Sequence, residues 1–283
     1  MNVKLSEELK MLKEMAYKFA VAEFTPHIRE CDEHEKYTPE IRKKAAQNGL
    51  VGAWIPDTYG GAGAGILGNA VITEELSKID MGIGLNVVAA CFGCESIFQY
   101  GSEEQKKKWL PPVCAGDWVS AGAFTEPNAG TDVSGYKTRA VKQGDQYVIN
   151  GNKMFITNGT VCNFMVAQCI TNPDQKKHNS FSLIIVPADA PGVTRNKIRG
   201  KMGIRSSDTA EIAFEDVKVP VTNLVGKEGK GFYELMHFFD TTRVMVSAQG
   251  LGLSEACLET AVKYCKERTA FGAPLGSYQL TQK

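Results

Sequence analysis

The sequence has no excess of either charge: lysine and arginine together number 32, and so do aspartate and glutamate. Without a net field the chain has no general attraction for nucleic acid or an anionic membrane, so a small-molecule ligand is the better expectation. It has no apolar run long enough to span a bilayer, and its start lacks the basic segment and apolar stretch of a signal peptide. Nor do its cysteines suggest a disulfide framework. Cys31, Cys91, Cys94, Cys114, Cys162, Cys169, Cys257 and Cys265 are scattered, mostly inside apolar runs, which predicts reduced thiols in a soluble, cytoplasmic protein. Cys91-Phe92-Gly93-Cys94 is a CxxC, but no second pair accompanies it and it lies in a helical apolar run. Buried structural thiols are expected there, and no metal.

What is present reads as three stretches. Residues 6–33 open on Ser6 with Glu7 and Glu8 and place Leu9, Leu12, Met15, Phe19 and Ala20 at helical spacing. A second helix is predicted from Thr38-Pro39 to Asn48-Gly49, followed by an extended run over Leu50 to Ile55. Gly63-x-Gly65-x-x-Gly68 matches a dinucleotide fingerprint in spacing only. The residues from Ala70 to Asp80 continue in helical period instead of forming a strand, so a glycine-rich helix entry is expected. Residues 82–100 are apolar, Ser102 and Gln105 form a capping box, and Pro111-Pro112 is expected to close the helix that follows.

From Trp118 the period changes to two. Thr138–Val141, Tyr147–Ile149 and Met154–Thr157, with a hairpin signal at Asn150-Gly151, predict successive antiparallel strands, and Cys162–Ile170, Phe181–Val186 and Glu211–Phe214 add more. Gly226, Gly229 and Gly231 mark a linker, and from Phe232 the helical period returns. The expected class is α+β multidomain: an all-α domain over 1–117, an antiparallel β domain over 118–225, and the start of a second helical bundle over 226–283. No capping glycine or proline stands near Lys283, which predicts a C-terminally truncated sequence.

The stretch Phe124 to Asp132 is a strand running into a polar turn. Pro127 fixes φ, and Asn128 and Gly130 tolerate positive φ. Such a turn aims backbone N–H groups and the hydroxyls of Thr125 and Thr131 at an anion or carbonyl-rich ligand. Taken alone, it is a loop.

Four words change that reading. Phe124-Thr125-Glu126-Pro127-x-Ala129-Gly130-Thr131-Asp132, Asn150-Gly151-x-Lys153-x-Phe155-Ile156-Thr157-Asn158-Gly159, Phe214-Glu215-Asp216-Val217-x-Val219-Pro220 and Glu267-Arg268-x-x-Phe271-Gly272 resemble the signatures of the FAD-dependent acyl-CoA dehydrogenase family. The resemblance runs from end to end. It implies α,β-desaturation of an acyl-CoA thioester, with electrons passed to an electron-transferring flavoprotein. It also implies flavin contacts from Phe124, Thr125, Gly130, Thr131, Phe155, Ile156 and Thr157. Phe155 would cover one face of the isoalloxazine, and Thr157 would bond near N5. On the substrate side it implies Thr131, Asp240, Thr241, Thr242 and Arg243, with Asp240 toward pantetheine and Arg243 toward the nucleotide end of CoA. Arg268, Phe271 and Gln279 match positions that reach the FAD of a neighbouring subunit, so a homo-oligomer, commonly a tetramer, is implied.

The family's base is usually a glutamate further along; some members place it at the position of Thr242, and threonine is no base at neutral pH. The catalytic base is thus unassigned within residues 1–283. Two other readings are an acyl-CoA oxidase-like flavoenzyme and a non-catalytic acyl-CoA-binding module. Acyl-chain selection is expected in a lining from Val88 to Cys94.

Overall fold

A computed structural model describes residues 4–282. The chain begins with helices α1 (Glu7–Phe24), α2 (Ile28–His34), α3 (Pro39–Gln47), α4 (Gly65–Ile79), α5 (Met81–Val88), α6 (Cys94–Tyr100) and α7 (Glu103–Cys114). Ser6 Oγ accepts the Leu9 N–H at 3.3 Å and starts α1. The single helix expected over 6–33 is two, because Pro26 has no N–H to continue the ladder and α2 restarts at Ile28. Leu50 to Ile55 is not extended but a buried series of turns. Gly49 and Gly52 adopt φ of 68° and 59°, and the carbonyls of Ala53 and Ile55 accept from Ala64 and Gly63. Among the described residues no strand precedes Gly63 and Gly65, which are glycines at φ of 66° leading into α4.

The stretch 82–100 breaks between α5 and α6, where Gly93 takes φ of 101°. Cys91 therefore pairs as a bridge with Ser120, and Cys94 Sγ lies 3.2 Å from Ser120 Oγ. Both thiols are buried, and burial pushes both well above the ordinary thiol range, so they are inert structural groups. The capping box at Ser102 and Gln105 forms in both directions. Pro111 and Pro112, however, lie inside α7 and do not close it. Trp109, Leu110, Val113 and Cys114 are buried, and packing that whole face outweighs the two lost ladder bonds.

The sheet contains β1 (Ser120–Ala123), β2 (Arg139–Gln143), β3 (Gln146–Thr157), β4 (Phe164–Ile170), β5 (Phe181–Pro187), β6 (Val193–Lys197), β7 (Thr209–Pro220) and β8 (Leu224–Val225). Its order is β6-β7-β3-β2-β4-β5-β8, with β1 beside β4. The expected all-antiparallel domain is in fact mixed, since β1 and β2 each pair with β4 in parallel. Asn150-Gly151 is not a hairpin turn. β3 runs through it as a bulge, because β7 is long enough to pair with both halves. Gly151 takes φ of 148° there, and Asn150 exchanges bonds with Asp216, which stands at φ of 51°.

One face of the sheet buries Ile149, Met165, Ile184, Ile212 and Val217. The other receives Trp109 from α7 and Leu235 and Phe238 from α8 (Gly231–Glu267), a single helix of 37 residues. Gly229 and Gly231 are no free linker: the Gly229 N–H donates to Ser182 Oγ at 2.9 Å, and a Cβ on Gly231 would lie 2.6 Å from the Ser182 backbone. After α8 come the short pair β9 (Thr269–Ala270) and β10 (Ala273–Pro274), then α9 (Gln279–Gln282).

α8 crosses α4 at Gly252, where a Cβ would sit 2.1 Å from the Glu74 carbonyl oxygen. Helix propensity favours alanine over glycine by about 1 kcal/mol. Forcing the two helices apart costs more, so Gly252→Ala should lower stability by about 1–3 kcal/mol net in urea unfolding. An unchanged or stabilised variant would show that the crossing is not close-packed.

Candidate active site

The site is built on a buried ion pair. Alternation along β3 turns Lys153 inward, where it is 1% exposed. Its Nζ donates to Glu126 Oε1 at 2.9 Å, to the Phe124 carbonyl at 3.0 Å and to the Gln168 carbonyl at 2.8 Å. Glu126 also accepts the N–H groups of Lys137 and Thr138 at 2.6 and 2.9 Å. Burial pushes the Glu126 carboxyl up, but the Lys153 charge and the hydrogen bonds from Thr138 and Lys137 outweigh it and hold the group below the ordinary carboxylate range. The Met154 N–H donates to the Thr125 carbonyl at 2.8 Å. The turn after β1 is thus fastened to β3 by main chain and side chain together. Sequence reading gave Glu126 and Lys153 no role, although a lysine at an inward position of an alternating strand was a signal for one.

The turn is closed by the Glu126–Ala129 backbone pair, and Asp132 caps the bend after it by accepting from the Ser134 N–H and hydroxyl. Gly130 and Thr131 are exposed, and Thr125 is half-buried. The positive φ anticipated at Asn128 and Gly130 does not occur; neither residue is in the left-handed region. Gly130 instead leaves room, since a Cβ there would meet no atom within 4 Å. The strained residues are Phe155 and Asn158, at φ of 59° and 63°. The register shift between Lys153 and Ile156 turns the Phe155 ring outward, and it is 64% exposed. A phenylalanine held in αL and facing solvent costs about 1–3 kcal/mol, the kind of strain that clusters at ligand sites. Thr157 is half-buried beside it, whereas the Ile156 side chain lies in the core. Asn158 Nδ2 donates to the carbonyls of Ala89 and Ser120 and anchors this corner.

α8 joins the turn through aromatic contacts. Phe238 lies 5.0 Å from both Phe124 and Phe92, and Phe239 lies 6.1 Å from Phe124. This places the next residues of the helix beside the turn. Asp240 and Arg243 are exposed, Thr241 is half-buried, and Thr242 is buried with its hydroxyl donated to the Phe238 carbonyl at 3.0 Å. Arg268, Phe271 and Gln279 are not brought to this place. They follow the far end of α8, about 40 Å along the helix from Asp240 at 1.5 Å per residue, and Phe271 is 99% exposed.

A cavity of about 170 Å³ lies between α4, α6 and α8, with Trp54, Phe98, Tyr100 and Phe238 in its walls. The expected lining from Val88 to Cys94 is absent from it. The break at Gly93 folds Val88, Cys91 and Cys94 into the core and leaves Glu95, Ser96, Phe98, Gln99 and Tyr100 along the cavity.

Lys153→Met would strand Glu126 as a buried, uncompensated carboxylate. We expect a loss of about 3–5 kcal/mol in urea unfolding, part of it recovered by adding Glu126→Gln. A loss below about 1 kcal/mol would mean that the pair does not hold the turn.

The chain matches the family models of acyl-CoA dehydrogenases in all three parts: the N-terminal domain over residues 6–117, the middle domain over 121–217 and the C-terminal domain over 229–283. It is 40% identical over 280 residues to the short-chain specific acyl-CoA dehydrogenase of Clostridium acetobutylicum, covering 99% of this chain and 74% of that protein. It also superposes on a chain from the structure described as the electron transferring flavoprotein of Acidaminococcus fermentans, with 40% identity and a TM-score of 0.96 over 100% of this chain and 74% of that one. With a glutaryl-CoA dehydrogenase from Mycobacterium smegmatis in complex with FADH2, identity is 30% and the TM-score 0.92 over 98% of this chain and 70% of that one. With all three domain models matched in order and 40% identity over nearly the whole chain, the chain belongs to the acyl-CoA dehydrogenase family.

Proposed function

We propose that the protein carries out FAD-dependent α,β-dehydrogenation of an acyl-CoA thioester and passes the electrons to an electron-transferring flavoprotein. The observation that carries this reading is the fastening of the turn at Thr125–Thr131 to the end of β3 by Lys153 and Glu126, in a chain of this family. The residues fit the cofactor. Gly130 leaves space for close approach, Thr131 is exposed beside it, and Phe155 presents an uncovered ring. Bound there, FAD supplies the acceptor for the hydride equivalent from the substrate's β carbon.

The chain's own residues bind and orient. The Thr125 and Thr131 hydroxyls and the backbone between them would hold the flavin, with Phe155 and Thr157 as its further contacts. Asp240 and Thr241 would line the thioester arm, while Arg243, exposed on α8, would meet the phosphates. Thr242, with its hydroxyl already given to the Phe238 carbonyl, shapes the helix and takes no proton.

We further propose a homotetramer in the cytoplasm. The second half of α8 exposes Leu251, Leu253, Leu258, Val262 and Tyr264, and Phe271 stands clear of its own chain, as groups that complete a neighbour's site would. Eight free cysteines suit a reducing compartment.

Because a side chain at residue 130 meets no protein atom, Gly130→Val should fold normally yet lose FAD affinity by at least about tenfold, through blocked backbone approach alone. Retained visible flavin absorbance after gel filtration would remove Gly130 from the site. Arg243→Ala should raise KM for the acyl-CoA far more than it lowers kcat, since the residue addresses the non-reacting end of the substrate. Equal losses in kcat and kcat/KM would place the arginine in the transition state instead.

A further inference from the structure

Much of the turn after β1 is held by contacts already described: the Met154 N–H takes the Thr125 carbonyl, Lys153 takes the Phe124 carbonyl, and the Glu126–Ala129 backbone pair closes the bend. Gly130 and Thr131 lie beyond that pair, and the side chain that reaches them is Tyr136. It is 3% exposed and packs in the core that holds Phe124, Phe164 and Val166. Lys153 Nζ stands over its ring, 4.9 Å from the centroid, where the ring quadrupole attracts the ammonium. Glu126, the partner of that ammonium, takes the N–H groups of the next two residues, Lys137 and Thr138. Both members of the buried pair therefore locate Tyr136, the cation through its ring and the carboxylate through the backbone that follows it. At its far end the Tyr136 hydroxyl donates to the Gly130 carbonyl at 3.3 Å. Burial pushes the phenol up to about 12, against a hydrogen bond from the Thr125 side chain, so the hydroxyl keeps its proton at neutral pH.

That bond sets the direction of a whole peptide unit. The peptide between Gly130 and Thr131 is trans, so its C=O and N–H point opposite ways. With the Gly130 carbonyl drawn inward onto a buried phenol, the Thr131 N–H is aimed outward, on the side where Gly130 and Thr131 are exposed. Among the described residues it donates to no protein group. We propose that Tyr136 is a positioning residue for the cofactor: it carries the fixed position of the Lys153–Glu126 pair to the Gly130–Thr131 peptide and presents the Thr131 N–H as a hydrogen-bond donor to FAD. The proposal rests on the reading that the turn at Thr125–Thr131 binds FAD. A phenylalanine would keep the ring, its burial and the contact with Lys153, yet leave the peptide free to rotate. At 3.3 Å the hydroxyl bond is a weak one, so its effect is on direction and little on stability.

The test compares wild type and Tyr136→Phe as apoproteins titrated with FAD and followed by flavin fluorescence, with urea unfolding of each apoprotein alongside. The dissociation constant for FAD should rise about fivefold in Tyr136→Phe, the worth of the one hydrogen bond lost to the cofactor, while the unfolding midpoint changes little. In wild type carrying nitrogen-15-labelled threonine, the Thr131 amide should exchange freely without FAD and become protected when FAD is added, with less protection in the variant. A rise in the dissociation constant below about twofold, a loss of FAD affinity matched by an equal loss of apoprotein stability, or a Thr131 amide whose exchange FAD does not alter overturns the inference. If Tyr136→Phe does not fold, the amide measurement on wild type decides. FAD bound equally by both proteins counts against Tyr136 alone, whereas a wild type that takes up no FAD counts against the proposed reaction and the inference together.

Discussion

Lys153 is the constraint on which the rest depends. A fully buried ammonium survives in a protein interior only when its three donors are taken and a counter-charge is close, and here two carbonyls and Glu126 meet that demand together. Because its partners are the Phe124 carbonyl and Glu126 in the turn after β1 and the Gln168 carbonyl in β4, the requirement ties that turn, β3 and β4 together. Glu126 in turn orders the N–H groups of Lys137 and Thr138 at the entry to β2. Replacing the pair by apolar residues of similar volume need not lower stability. What an apolar pair lacks is direction: it would fill the space without setting where the Phe124 carbonyl and the Thr125–Thr131 turn must lie.

That fixed turn explains why strain is tolerated next to it. Phe155 and Asn158 both occupy left-handed backbone conformations one turn of chain apart, and Asn158 is held there by carbonyls from the α5–α6 break and from β1. With Lys153 anchored on one side and Asn158 on the other, Phe155 has no freedom to rotate back into the strand. The outward ring is therefore a consequence of its two buried neighbours, and it stands ready before any ligand arrives. Preorganisation of that kind removes an ordering cost from binding.

The same local-versus-global contest decides what was legible in the sequence. Caps were readable because they are satisfied within four residues: Ser6, Pro39 and the Ser102–Gln105 box all form as their spacing predicts. Asn150-Gly151 carries a hairpin's chemistry, but whether it turns depends on β7, more than fifty residues later, which offers both halves of β3 a partner. Pro111 and Pro112 likewise obey a packing demand from Trp109 and Leu110 that no local propensity reveals. Gly130 shows the limit from the other side, since the residue type signals permissive backbone or close approach equally, and only the structure separates them. The resemblance located the turn, Phe155 and the α8 segment. Lys153 and Glu126 lay inside the same words without a role, because their partnership exists only once β1, β3 and β4 are adjacent.

The chain thus buries carboxyl groups in two ways, and the contrast is physically informative. Glu126 has a buried lysine and two N–H donors, so its charge is stabilised where it lies. Glu234 has one backbone donor, Glu95 has the N–H groups of Gly93 and of its own residue, and neither has a cation, so burial pushes both up to about 7. A glutamine would satisfy the same donors without the penalty of desolvating a charge, and an apolar residue would fill the volume. What the carboxylate adds is charge in the first turn, of α6 for Glu95 and of α8 for Glu234, where it complements the helix dipole. Both residues border the aromatic-walled cavity beside the helix that carries Thr241 and Thr242, so one arrangement starts two helices and shapes one wall.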